Sequence, residues 1–263
     1  MPRFKLTIEY AGTRYSGWQI QKNARTVQGE IDRAVRTVTT RKDFELYGSG
    51  RTDAGVHAAA QVAHLDVSTT LAGEILRRRI NDELPADINI LTIQQVPHRF
   101  HARHDAVARR YVYQIAQRRT AFAKPFVWWV KDPLDVARMR AGARAFVGMR
   151  DFQSFAAYGE EDAADRSTLV LVDRLDIVTH GDLVIVAIEG SHFLWKMVRR
   201  IVGVLAEIGR GALEPTAVTA LMREPSGAPA RLTAPASGLF LERVYYKGDV
   251  RSAAPPEPIT PLR

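Results

Sequence analysis

The sequence predicts a mixed α+β fold built from two similar sheet-plus-helix halves, and three observations carry that reading. Runs such as Phe4, Leu6, Ile8 and Tyr10 alternate with polar residues, the two-residue period of a half-buried strand. Other runs, such as Val27, Ile31, Val35 and Val38, recur at helical spacing. The order strand, helix, two strands, helix, strand is met once before a polar, basic connector at residues 97–108 and a similar order recurs after it. Segregated strands and helices of this kind place helices on one face of a sheet. The repeated order implies an internal pseudo-repeat with a cleft between its halves.

In the first half, the strand at 4–10 gives way to a loop at 11–19, and Thr26 can cap the first helix. Residues 44–47 form a short strand, residues 63–67 a second half-buried strand, and 48–57 the loop that joins them. Thr70 can cap a second helix with Leu71, Ile75, Leu76 and Ile80 on its apolar face, followed by a strand at 88–96. In the second half, 111–115 is strand-like, and Asp132-Pro133 opens a helix running to Phe146 that Gly148 can end. Strands at 169–178 and 183–189 flank a turn at His180-Gly181-Asp182. Leu194, Val198, Ile201, Val202, Leu205 and Ile208 make a long helical stripe closed by Gly209. A short helix at 215–222, a long loop at 223–238 and a strand at 239–245 complete the order. The resulting division is an N-terminal domain at 1–105, a C-terminal domain at 106–246 and a loose, proline-rich tail at 247–263.

Bulk properties narrow the partners. The chain has 263 residues, no cysteine and a net charge of +8. Without cysteine there are no disulfides and no thiolate metal sites. No apolar run approaches the ~18 residues of a membrane span, and the N-terminus shows no signal peptide, so a soluble, cytoplasmic protein is expected. The positive charge clusters at Arg77-Arg78-Arg79, from Arg99 to Arg110, at Arg118-Arg119 and at Lys196-Met197-Val198-Arg199-Arg200. Phe100, Tyr111 and Tyr113 are interleaved with it. Cations for phosphates and aromatic faces for bases are what looped or single-stranded RNA requires.

The loop Gly48-Ser49-Gly50-Arg51-Thr52-Asp53-Ala54-Gly55-Val56-His57 concentrates chemistry between two strands. A carboxylate near a guanidinium stays ionised, and an ionised carboxylate on a fixed loop can act as a nucleophile. Taken alone, Asp-Ala-Gly is ordinary turn chemistry and the loop reads first as a charged turn. It lacks the ending of a phosphate-binding P-loop, and no Gly-x-Ser-x-Gly nucleophile elbow occurs. His98, His101 and His104 read as a basic surface segment rather than a metal site. Arg199 and Arg200 interrupt a buried helical stripe, so one of them lies at a core edge and needs a partner; Asp53 is a candidate.

These residues resemble the tRNA pseudouridine synthase A family. Gly50-Arg51-Thr52-Asp53-Ala54-Gly55-Val56-His57-Ala58 matches its central motif without a gap. Tyr15-Ser16-Gly17-Trp18-Gln19 and Thr26-Val27-Gln28-Gly29 are similar to its first motifs. Phe100-His101-Ala102-Arg103, Ala108-Arg109-Arg110-Tyr111 and Asp151-Phe152-Gln153-Ser154-Phe155 follow in the family's order. Met197-Val198-Arg199-Arg200-Ile201-Val202-Gly203 and Ala234-Pro235-Ala236-Ser237-Gly238-Leu239 complete the set. The resemblance implies the pseudouridine synthase fold, two similar domains forming a pseudo-continuous antiparallel sheet with a central basic cleft. It implies a homodimer that converts uridine to pseudouridine at positions 38, 39 and 40 of the tRNA anticodon arm. Asp53 falls on the catalytic aspartate, Tyr111 on the tyrosine that stacks on the target base, Arg199 on the countercharge and Arg51 on the base-flipping arginine. Arg109, Arg110, His57 and Leu239 fall at substrate-binding positions. The isomerisation involves no redox change and loses no group, so neither cofactor nor metal is expected. Arg200 stands where the family often has Asn, and the acidic stretch 159–165 has no counterpart. Two rival readings remain: a non-catalytic structured-RNA-binding protein, and an enzyme that hydrolyses the glycosidic bond, which typically needs a second carboxylate.

Overall fold

The computed structural model describes residues 1–157, 167–260 and 262. The acidic stretch 159–165 lies outside the described residues. The chain falls into two compact units, Met1–Val107 with Phe240–Val250, and Ala108–Leu239 with Arg251–Arg263. Both are α+β with mostly antiparallel strands, the class the periodicity predicts. Among the described residues no helix is long and apolar enough to cross a membrane.

In the first unit, β1 (Arg3–Tyr10) pairs antiparallel with both β4 (Ile88–Val96) and β3 (His57–Asp66). The other edge of β3 is shared. Residues Ala63 to Asp66 take β2 (Glu45–Gly48) antiparallel, while His57 and Ala58 take β10 (Leu239–Tyr246) in parallel. The loop 49–56 leaves the sheet between those two partners. Helices α1 (Val27–Thr39) and α2 (Gly73–Glu83) pack on one another. The Thr26 hydroxyl accepts from the Gly29 amide, so the expected cap is present. Thr70 does not cap α2: the N-cap is Ala72, and Ile75, expected on the apolar face, is exposed. Leu76 and Ile80 alone carry that face into a core of Leu6, Ile8, Ile31, Val35 and Leu65.

The second unit orders its strands β5 (Ala106–Ala116), β9 (Leu183–Gly190), β8 (Leu169–His180) and β7 (Gly148–Asp151), all antiparallel, with the two-residue β6 (Trp128–Trp129) parallel to the end of β5. Helix α3 (Val136–Ala143) is capped by Asp135 rather than opened at Pro133, and packs against α4 (Met197–Gly209). The short helices α5 (Ala217–Arg223) and α6 (Ala228–Arg231) follow. The second of these lies in the stretch expected to be loop.

Two features of the division depart from the sequence reading. Residues 240–250 belong to the first unit, because β10 is hydrogen-bonded along the start of β3. The tail is also anchored. The buried Gln114 amide accepts from the backbone amides of Ile259 and Thr260 and donates to the Thr260 hydroxyl. Ile259 and Leu262 pack on a cluster that includes Val112, Leu183 and Ile185. A proline-rich composition suggests a loose end, but a buried amide needs hydrogen-bond partners, and this one finds them in the tail.

Candidate active site

Asp53 lies in the first unit. Val56 N–H donates to the Asp53 carbonyl at 3.1 Å, closing a four-residue turn with Asp53 first. Gly55 has φ +78, the value a type II turn demands at its third position and the reason glycine stands there. The charged-turn reading of this stretch is therefore correct as local structure. What distinguishes the turn is how firmly it is held. The Trp18 amide donates to the Thr52 carbonyl, the Gly55 amide to the Tyr15 carbonyl, and the Tyr10 and Thr52 hydroxyls lie 2.8 Å apart. Ser49 is fixed by its amide on Val62 and its hydroxyl on Gln61, whose amide donates to the Gly50 carbonyl. Tyr15 itself is buried and donates to Asp87; burial first, and then that hydrogen bond, pushes its hydroxyl pKa up. Thr52 before Asp53 and Gly55 after it are tied to the scaffold, and Asp53 stays partly accessible.

Arg51 does not pair with the carboxylate two residues on, and His57 is enclosed. Arg51 is exposed and forms no ion pair with Asp53 among the described residues. His57 is 1% exposed, accepts the Gly12 amide on Nδ1 and stacks on Phe240 at 4.7 Å. A ring so enclosed fixes the end of the loop and has no surface left for a substrate.

Arg109, Tyr111 and Arg199 lie in the second unit. On β5 the side-chain period of two puts Arg109, Tyr111 and Tyr113 on one face and Ala108, Arg110, Val112 and Gln114 on the other. Tyr111 is half-exposed, with its ring edge-on to Phe193 at 5.2 Å. Arg109 donates to the Ser191 carbonyl at 2.9 Å. Arg110 and Leu239 are buried, so of the four residues assigned to substrate binding only Arg109 keeps an accessible side chain. Arg199, one turn into α4, donates from Nε to the Ala234 carbonyl at 2.7 Å, while Ala234 N–H donates back to the Arg199 carbonyl at 3.0 Å. Tyr113 donates to the next carbonyl, Pro235, at 2.7 Å. The segment 234–235 thus joins α4 to the Tyr111 face of β5. The sequence singles out Arg199 and Tyr111 but misses this link; the signal was Tyr113, two residues beyond Tyr111 and therefore on its face.

Residues 97–105 follow β4. Ala102 donates its amide to His64 Nδ1 and accepts from the Tyr246 hydroxyl, and Arg3 binds both Asp66, through two hydrogen bonds, and the Phe100 carbonyl. His101 lies edge-on to His64 at 4.8 Å and tilted against His104 at 4.2 Å, and its Nδ1 accepts the amides of Arg103 and His104. The imidazoles dock this segment on the sheet.

The first unit thus carries a carboxylate at the head of a clamped turn, and the second a tyrosine-arginine strand face. The profile of the tRNA pseudouridine synthase family matches residues 6–105 and 143–247. The chain belongs to that family. It is 36% identical over 246 residues to tRNA pseudouridine synthase A 2 of Clostridium tetani, covering 92% of this chain and 98% of the relative. It is 39% identical over 249 residues to tRNA pseudouridine synthase A of Maridesulfovibrio salexigens, covering 94% and 91%. It is 40% identical over 249 residues to tRNA pseudouridine synthase A of Nitrobacter hamburgensis, covering 94% and 100%.

Proposed function

We propose that this protein isomerises uridine to pseudouridine at positions 38, 39 and 40 of the tRNA anticodon arm, acting in the cytoplasm as a homodimer and without a cofactor. The observation that carries the reading is Asp53, the carboxylate of a turn held to the scaffold at Thr52 and Gly55, in a chain that belongs to this family over most of its length. The reaction breaks the C1′–N1 bond and forms C1′–C5. The proton lost from C5 is balanced by one gained at N1, so the product is an isomer and no electrons are exchanged. Asp53 is the nucleophile, either at C1′ or through the ribose 2′ position. The target base must first leave the stack, at a cost of a few kcal/mol, and Tyr111 offsets part of that cost by stacking. Arg199 is assigned as the countercharge that keeps Asp53 ionised, Arg51 as the residue that assists flipping, and Arg109 as an RNA contact. The basic clusters hold phosphates, which makes binding strongly salt-dependent.

The test is Asp53→Asn with purified protein and transcribed tRNA. Pseudouridine mapping should show no modification by the variant at positions where wild type modifies, with tRNA affinity within a few-fold. Turnover retained by the variant removes the nucleophile assignment. Release of free uracil by wild type would instead indicate glycosidic hydrolysis, and tRNA binding with no product at all would indicate an RNA-binding protein.

A further inference from the structure

The chain reverses direction where β9 ends, and the reversal lays an aromatic ring against Tyr111. Strand β9 runs antiparallel to β5, with Ile188 opposite Tyr111 and Gly190 opposite Arg109. Directly opposed residues share a sheet face, so all four point to the same side. Continued in that register, residue 193 would fall opposite position 106. Instead Phe193 comes back to Tyr111, with ring centroids 5.2 Å apart and planes at 86°. Hydrogen bonds hold the returning loop. The Ser191 amide donates to the Leu171 carbonyl on β8 at 2.9 Å, Arg109 donates to the Ser191 carbonyl at 2.9 Å, and the Ala157 amide donates to the Trp195 carbonyl at 2.8 Å. Glycine at 190 makes the room. A Cβ there would lie 2.6 Å from the Leu171 carbonyl oxygen and 3.4 Å from Phe193 Cζ, so the tip of the phenyl ring rests over a residue with no side chain.

We propose that Phe193 is a positioning residue for the stacking step: its ring holds the Tyr111 ring in the orientation in which a flipped uridine can lie on it. The inference rests on the stacking role given to Tyr111 above and adds a residue to it. A half-exposed tyrosine has three staggered χ1 wells open to it, and a ring that wanders among them meets the base only part of the time. A perpendicular aromatic neighbour favours one well, because the positive edge of one ring is drawn to the negative face of the other. The same arrangement preserves access: whichever ring offers its edge, at least one face of Tyr111 is not covered by Phe193. Phe193 takes no part in the chemistry itself, since a hydrocarbon ring has no proton to move and no charge to offer. The loop that carries it runs on into α4, whose first turn bears Arg199. One short segment therefore sets both the stacking ring and the start of the helix that holds the countercharge.

The experiment measures single-turnover pseudouridine formation in transcribed tRNA by full-length protein in excess, at a temperature where melting curves show each variant folded. The variants are Phe193→Leu, Tyr111→Ala and the two combined, with Phe193→Ile as a second replacement of similar bulk should leucine not fold. Both aliphatic residues keep apolar volume and remove the ring, which separates a lost orientation from a lost packing contact. The expected rate for Phe193→Leu is about three- to tenfold below wild type, the scale of spreading one well's population over three and of losing one aromatic pair. Affinity for tRNA should stay within about twofold, because phosphate contacts dominate it. The double variant should be no slower than Tyr111→Ala alone, since an absent tyrosine cannot be positioned. Losses that multiply in the double variant overturn the inference, and so does a wild-type rate in Phe193→Leu, whatever its melting temperature. A wild-type rate in Tyr111→Ala, or no pseudouridine from wild type, fails the stacking or isomerase reading instead, and both are distinct from a slow Tyr111→Ala with multiplying losses.

Discussion

Replacing Gly203 by alanine puts a methyl group where the chain has left room for none. Gly203 lies one turn beyond Arg199 on α4, and a Cβ there would be 1.6 Å from the Leu232 carbonyl oxygen and 2.7 Å from its carbon. Ordinary C···O contacts are about 3.3–3.6 Å, so residues 232–234 would have to retreat by close to 2 Å. Two hydrogen bonds join that segment to Arg199, one to its carbonyl and one from its Nε, and neither survives such a shift. Overpacking costs about 1–3 kcal/mol and each lost bond about 0.5–1.5 kcal/mol, offset by roughly 1 kcal/mol of improved helix propensity. A net loss of about 1–5 kcal/mol lowers Tm by roughly 2–20 °C in a chain of this size. Because Arg199 loses its tether, kcat for pseudouridine formation should fall by more than the stability loss explains at a temperature where the variant is fully folded. Differential scanning fluorimetry and a tritium-release assay read the two quantities. Gly73→Ala is the control: the added Cβ would meet Ile93 at an ordinary 3.6 Å, so its Tm should be equal or higher. A Gly203→Ala protein that melts with wild type and turns over normally would refute the reasoning, since it would mean the 232–234 segment does not hold the arginine.

Two further outcomes follow from the same geometry. Burial first, and then the positive Arg3, His101 and His98, outweigh Asp66 and press His64 down to about 4 from 6.5. The unfolded chain therefore binds the extra proton between those values, and folding stability is lost as pH falls from 6.5 toward 4, by up to about 3 kcal/mol. Urea titrations across that range should show the slope, and His64→Asn, which keeps an acceptor for Ala102, should flatten it; an unchanged slope in the variant removes His64 as the cause. For Tyr111, Phe should preserve the fold and the stack, so any lost turnover reports on the hydroxyl. Ala should cost about 1–3 kcal/mol of stacking, roughly 10- to 100-fold in kcat/KM, and unchanged turnover in that variant would remove the stacking role.

Period and spacing made most of the scaffold legible. The strands at Phe4 and Leu183, the Thr26-capped helix and the stripe of α4 all declare themselves through apolar residues at fixed intervals, because burial of one face is the force that forms them. Elements held together by something else were not readable. The two-residue β6 has too little sequence to show a period, and α6 sits in a proline-bearing stretch whose single turn depends on its neighbours. Gly148 looks like a helix stop in sequence, but it has φ +95 and opens β7. At the site, Asp53 and Tyr111 are marked by residue type, whereas the burial of His57 and Arg110 is a tertiary fact. Arg109 and Arg110 look equivalent in a basic run, yet the strand sends them to opposite faces.

The last strand carries a consequence for synthesis. Because β10 lies on β3 while the tail returns to Gln114, the chain passes from one unit to the other three times, at residues 107–108, 239–240 and 250–251. No single cut yields two intact halves. On a ribosome the first unit waits for its closing strand until residues 239–246 have emerged, leaving the His57 end of β3 unpaired by β10 until then. The second waits longer still, for the residues that satisfy its buried amide. A nascent chain of this protein is therefore committed to pairings of high sequence separation, which are slow to form, and removing Ile259 and Thr260 would take two donors from the Gln114 oxygen.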